Sequence, residues 1–271
     1  MPLIIHRYLT KTYTNPQPPG FADFLRGTIA LYQLACKNNY TLKIDVNSHP
    51  IFKFLDIPKE SSVTLDENVP TIEIIPPIAY DAMHGIIELG LRCNDLVILT
   101  NAFYNEQCMT DEYQFIRSIL TPSRLLSEYI ETIKTSIQLH APYIVIHARI
   151  GDTFLVYKND VQENIIDKIR NYIKMISTNA PAQSVLFIAD SYQLKESVKD
   201  LCKITAIHPI HTGSLDTINT IDTDERLVAT LAEFFIMSKA SSIYCINFYD
   251  GSGYSKICSK IYSIDYHCLQ L

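Results

Sequence analysis

Apolar residues recur along this chain in two periods. Over 22–38 they fall at helical spacing, with Phe24, Ile29, Leu31, Leu34 and Ala35 on one face. Residues 41–46 alternate apolar and polar and read as a strand. The pattern then predicts a short strand over 71–75, a helix over 79–91, an apolar strand over 95–100, and helices over 111–120 and 122–139. Past His140-Ala141-Pro142 the alternation is more regular. Strands over 143–148, 185–190, 204–207 and 242–246 are interleaved with helices over 161–177, 192–202, 223–239 and 252–262. YIVIHA at 143–148 and VLFIAD at 185–190 are strongly apolar, each opening on an unbroken apolar run, the pattern of strands covered on both faces. This alternation predicts an α/β protein with parallel sheets. A length of 271 residues admits one large domain or two small ones, and the Pro142 junction divides it into 1–140 and 141–271.

Composition narrows the function. Hydrophobic residues at 47% and charged residues at 19% exclude a disordered chain. The net charge of −6 argues against a nucleic-acid partner, while leaving room for a small anion held by local positive charge. Seven scattered cysteines without a CxxC pair read as reduced intracellular thiols rather than a disulfide framework. The apolar start, 1–5, is broken by His6, Arg7 and Lys11, too soon for a signal-peptide core. No uncharged apolar run reaches the ~18 residues of a membrane span. The expectation is a soluble, cytoplasmic protein. Abundant Ile, Asn and Tyr suit an AT-rich genome, such as that of a large DNA virus or a microbe.

Four strings carry candidate chemistry. His147-Ala148-Arg149-Ile150-Gly151-Asp152 ends a buried strand, where open α/β sheets bind ligands. Arg149 offers a planar fork to phosphate, His147 can donate or accept beside it, Gly151 permits a tight turn, and Asp152 can orient Arg149 or cap the turn. A strand end with a salt bridge is the plain alternative. Asp250-Gly251-Ser252-Gly253-Tyr254-Ser255 opens the last helix; its amides and hydroxyls suit an anion, or Ser252 is simply an N-cap. Ala189-Asp190-Ser191 also ends a strand, and Asp190 either accepts from a base or ribose or caps the next helix. Gly20-Phe21-Ala22-Asp23-Phe24-Leu25-Arg26-Gly27 begins the first helix, with Asp23 and Arg26 as charges at its amino end. GxGxxG, Walker A, HExxH and GxSxG are all absent, and no cysteine cluster suggests a metal site.

Taken in order, these strings resemble the fucosyltransferase superfamily that includes the α1,6-, bacterial nodulation and protein O-fucosyltransferases. The family's HxRxxD-type motif is similar to His147 through Asp152, and its strand ending in Asp and Ser or Thr to Phe187 through Ser191. Its helix, strand and Ser/Gly phosphate loop resemble Asp224 through Ser255, and its amino-terminal Gly-rich loop resembles Gly20 through Gly27. Tyr254 and Ala22 depart from the residues commonest there. The resemblance implies a GT-B fold, with two Rossmann-like domains facing across a cleft. Residues 1–140 would be the acceptor-side domain, and 141–271 would bind the nucleotide-sugar. It also implies a GDP-fucose donor, inversion and no metal. Arg149 would hold the β-phosphate and His147 would sit by the nucleotide, with Asp152 structural. Ser252, Gly253, Tyr254 and Ser255 would line the pyrophosphate. Asp190, with Ser191, would lie near the base or ribose. Gly20, Phe21, Ala22 and Arg26 would complete the donor site.

Glycosyl transfer needs the growing charge on the leaving diphosphate neutralised, and inversion needs a base opposite the leaving group. Asp23 is the candidate base, with Glu73, Asp81 and Glu88 as alternatives. The expected function is fucosyl transfer to a glycan or glycoprotein. A transferase for another nucleotide-sugar and a nucleotide- or glycan-binding module without catalysis are the alternatives.

Overall fold

All pairings between the named strands are parallel, and they gather into two five-stranded sheets. A computed structural model describes residues 2–8, 20–66, 69, 71–74, 85–87, 89–90, 96–100, 110–151, 160–208, 212, 223–248 and 252–271. By packing, the chain forms two units: residues through Ser123 together with Thr212, and the rest from Arg124.

Unit 1 is built on β1 (Leu3–His6), α1 (Phe21–Asn38), β2 (Thr41–Asp45), β3 (Ser62–Val63), β4 (Ile72–Ile74), β5 (Leu96–Thr100) and α2 (Thr110–Ile119). Its strand order is β3-β2-β1-β5-β4. The helical stripe of α1 buries Leu31, Leu34 and Ala35 against Ile4, Leu42 and Ile98 of the sheet. Each such aliphatic side chain contributes on the order of 2 kcal/mol by leaving water. Asn39 ends α1 in the left-handed conformation at φ 56°, its N–H returning to Ala35 and Cys36 carbonyls. Gly27 lets α1 lie on β5: a Cβ there would stand 1.9 Å from the Thr100 carbonyl oxygen.

Unit 2 contains α3 (Arg124–Ser136), β6 (Tyr143–Arg149), α4 (Glu163–Asn179), β7 (Ser184–Ala189), α5 (Tyr192–Val198), β8 (Lys203–Ile204), α6 (Thr223–Met237), β9 (Ser242–Asn247), α7 (Gly253–Tyr262) and β10 (Asp265–Gln270). The order is β10-β9-β6-β7-β8. From β6 the chain moves to β7 and β8 on one side and later to β9 and β10 on the other. The order therefore reverses between β6 and β9, which makes their carboxyl ends the ligand-binding position of a doubly wound sheet. Isoleucines of α4 (Ile165, Ile169, Ile173) pack on Ile144, Ile146 and Phe187.

Several expectations from the sequence shift. The helix expected over 122–139 is shorter, because Ser123 N–H donates to Phe54 O and Leu55 bridges Pro122, both within unit 1. The packing boundary thus precedes α3, which packs on α6, rather than falling at His140-Ala141-Pro142. The helix expected to reach 202 stops at Val198, whose carbonyl takes the Leu201 N–H. The strand expected over 204–207 stops at Ile204, since Thr205 and Ile207 turn their oxygens to Lys195. β1, β3 and β10 were not expected. Of the helix expected over 79–91, the described positions 85–87 and 89–90 are helical. Among the described residues, no helix is long and apolar enough to cross a membrane.

Candidate functional site

In unit 2 the site grows from the end of β6. Arg149 pairs in register with Asn247, so the segments after β6 and β9 leave the sheet side by side. Arg149 Nη1 donates to Asp190 Oδ2 at 2.7 Å. The same carboxylate accepts from the Ile150 N–H at 3.0 Å and the Gly151 N–H at 2.9 Å. Gly151 sits at φ +121° with open space around its Cβ position, so its need for glycine is conformational. Asp190 is 5% exposed. Burial pushes its carboxyl above the ordinary value, against the pull of Arg149 and the two amides. The sequence left Asp190 as a ribose acceptor or a helix cap. Its carboxylate grips the β6 end, and Ser191 is the residue that caps α5, its hydroxyl accepting from Leu194 N–H at 3.3 Å.

His147 is buried, and its Nδ1 has no hydrogen-bond partner among the described residues. Burial first, and then the charges of Arg149 and Lys195, push the ring down to about 3. A neutral imidazole with an open nitrogen therefore lies two residues before Arg149 on β6, a spacing that puts both side chains on one face of the strand. The Tyr254 ring stands 5.7 Å from it.

The amino end of α7 divides the expected pyrophosphate residues. Ser252 is its N-cap and is buried; its N–H donates to Cys245 Sγ at 3.3 Å. Gly253 is exposed in the first turn, where helix amides lack intrahelical partners. Tyr254 instead anchors α7 to α6, donating from its hydroxyl to Thr230 O at 2.6 Å. Ser255 is fully buried, with its Oγ 3.5 Å from the Tyr266 hydroxyl. Asp152, Asp250 and Gly251 lie outside the described residues.

The unit 1 string gathers on the first two turns of α1. Gly20 is the N-cap, and its N–H donates to Asp23 Oδ2 at 2.9 Å in a capping box. Asp23 also pairs with Arg26. Phe21 and Ala22 are buried, and the Phe21 N–H donates to Thr212 Oγ1 at 2.8 Å. Of the alternative bases, Glu73 lies on the edge strand β4, while Asp81 and Glu88 fall outside the described residues.

Two arrangements escaped the sequence reading. Lys195, fully buried, donates to Glu233 Oε1 at 2.6 Å, Thr205 Oγ1 at 3.0 Å and Ile207 O at 2.9 Å. Glu233, alone among apolar residues in LAEFF, was the available signal. In unit 1, Thr212 takes a hydrogen bond from His49 Nε2 at 2.9 Å and shares one with the Tyr8 hydroxyl at 2.7 Å. Tyr8 stacks between Phe24 and His49. Only folding brings Thr212 to these residues. Among the described residues no group of three or more His, Cys, Asp or Glu is placed to hold a metal ion.

This architecture matches solved fucosyltransferases. NodZ alpha-1,6-fucosyltransferase soaked with GDP-fucose is similar at a TM-score of 0.59, covering 96% of this chain and 92% of that one at 15% identity. NodZ from Bradyrhizobium gives 0.57 over 95% and 91%, again at 15% identity. POFUT1 in complex with GDP-fucose gives 0.56 over 98% of both chains at 11% identity. No protein-family model matches the chain, and no curated protein sequence matches it. At these identities the likeness is one of fold, and the fold is that of the GT-B fucosyltransferases.

Proposed function

We propose that this protein is a glycosyltransferase that moves fucose from GDP-fucose to a glycan or glycoprotein, with inversion and without a metal. The observation that carries this reading is the place of Arg149 at the end of β6, anchored by Asp190 and in register with Asn247 at the end of β9, at the switch point of the unit 2 sheet, with the amino end of α7 tied to β9 through Cys245. The solved neighbours bound to GDP-fucose support the choice of donor.

In this reading the guanidinium of Arg149, oriented by Asp190, offers its fork to the β-phosphate. Amides in the first turn of α7 add donors to the same diphosphate. His147, held neutral, faces the nucleotide with its open Nδ1. An acceptor hydroxyl attacks the sugar's anomeric carbon as the bond to the diphosphate oxygen breaks. The charge growing on that oxygen meets Arg149, and the hydroxyl proton passes to a base on the opposite face.

Asp23 is the base in this scheme. Its engagement by the Gly20 amide and by Arg26 favours a second reading, a donor-binding module without transfer. Asp23→Asn with unchanged turnover removes Asp23 from the role. GDP binding with neither transfer nor donor hydrolysis selects the second reading.

The test of donor binding is a thermal-shift screen with GDP, UDP, ADP and their sugars. GDP and GDP-fucose should raise the midpoint by the ligand-linkage relation while the others do not. Arg149→Lys should lose much of that shift, because an ammonium cannot make the forked contact. No response to any guanine nucleotide, or full retention by Arg149→Lys, overturns the reading.

A further inference from the structure

β9 and β10 run in parallel register with Cys245 opposite Cys268. Register partners on adjacent strands project to the same face. Asn247 Nδ2 donates to both sulfurs, at 3.2 Å to Cys245 and 3.7 Å to Cys268, so the two thiols surround one nitrogen. Paired strands lie about 4.8 Å apart, inside the roughly 4.4–6.8 Å Cα separation that a disulfide spans. Cys268 is exposed and Cys245 buried. The Cys245 sulfur is also the acceptor for the Ser252 N–H, at the N-cap of α7. A sulfur–sulfur bond of about 2.05 Å requires Cys245 to turn toward β10 and leave that amide.

We propose that Cys245 and Cys268 are an oxidisable pair, and that the disulfide between them releases Ser252 and loosens the amino end of α7. The reactant is a small disulfide such as oxidised glutathione. The exposed Cys268 thiolate attacks it, forming a mixed disulfide and expelling one glutathione thiolate. Cys245 then attacks the Cys268 sulfur, closing the internal disulfide and expelling the second glutathione. Two protein thiols lose two electrons and two protons, and one glutathione disulfide becomes two thiols. The consequence for donor binding rests on the function proposed above; the disulfide and the loosening of α7 do not.

The experiment treats the full chain with oxidised glutathione. It then reads peptide masses without reduction, amide exchange in the peptide that begins α7, and GDP affinity by calorimetry. Expected are a Cys245–Cys268 cross-linked peptide, faster exchange at the start of α7, and about tenfold weaker GDP binding from the loss of one positioned donor to a charged group. Cys268→Ser should show none of the three changes and bind GDP as the reduced protein does. Glutathione left on Cys268 without the internal link overturns the proposal. So does a link that leaves exchange at α7 unchanged, or one that leaves GDP affinity intact in a protein that binds GDP when reduced. Should the reduced protein bind no guanine nucleotide, the donor reading fails, and the link and the exchange still decide the thiol pair.

Discussion

Arg149 and Asp190 meet at 2.7 Å across the carboxyl ends of neighbouring strands, and the same carboxylate holds the two amides that follow Arg149. One buried group therefore fixes both the side chain and the turn at the switch point. Asp190→Asn keeps the shape but removes the charge, so Arg149 loses its anchor and one amide faces an N–H. The expected cost is about 2–3 kcal/mol, below that of a fully buried pair because Arg149 reaches solvent. Urea unfolding of unit 2 measures it; a change under about 0.5 kcal/mol would mean that the turn holds itself.

Three buried histidines predict acid sensitivity. Burial pushes His6 and His147 down to about 3 and His49 to about 4, from an ordinary 6.5. His49 also uses its Nδ1 to accept from the Ile51 N–H, which a protonated ring cannot do. Below pH 6.5 the unfolded chain binds protons that these folded rings refuse. Stability should thus be fully present above pH 6.5 and decline toward pH 4, by about 1.4 kcal/mol per pH unit for each ring. Urea midpoints between pH 7 and pH 5 test this, and His49→Asn should flatten the slope by one ring's share.

Lys195 and Glu233 form a buried pair with Thr205 joined to both. Lys195→Met strands the Glu233 charge, and the expected loss is about 3–5 kcal/mol. The double variant Lys195→Met with Glu233→Leu should recover most of it, because two apolar groups replace the whole pair. Equal losses in the single and the double variant would contradict this account.

Gly27→Ala should be among the most damaging single-methyl changes in unit 1. The added carbon meets backbone, not a side chain that can swing away. A loss of about 3 kcal/mol is expected from forcing α1 off β5. Circular dichroism on heating would show it directly.

Local pattern made much of the fold legible. Within β6 and β7, YIVI at 143–146 and VLFIA at 185–189 are uninterrupted apolar runs, the pattern of a parallel strand covered on both faces. The place of Arg149 at the end of a strand was legible for the same reason, since the apolar run stops just before it. β1 was not: its four residues, LIIH, are too few to show a period, and β1 becomes central only through pairing with β2 and β5. β10 was hidden because it is an edge strand with little buried surface to leave an apolar stripe. Asp190 reads as a helix cap in sequence and is an anchor for Arg149 in space.

The sequence by itself determined the alternation of strands and helices, the parallel sheets and the position of Arg149, because periodicity and chain direction are local properties. The tertiary structure alone decided what each polar group does there. It gave Arg149 to Asp190 and Ser252 to Cys245, enclosed Tyr254 and Ser255 beside their neighbours, and tied Asp23 to its own helix end. Such assignments depend on which buried donors and acceptors meet across strands, and only the folded register brings them together.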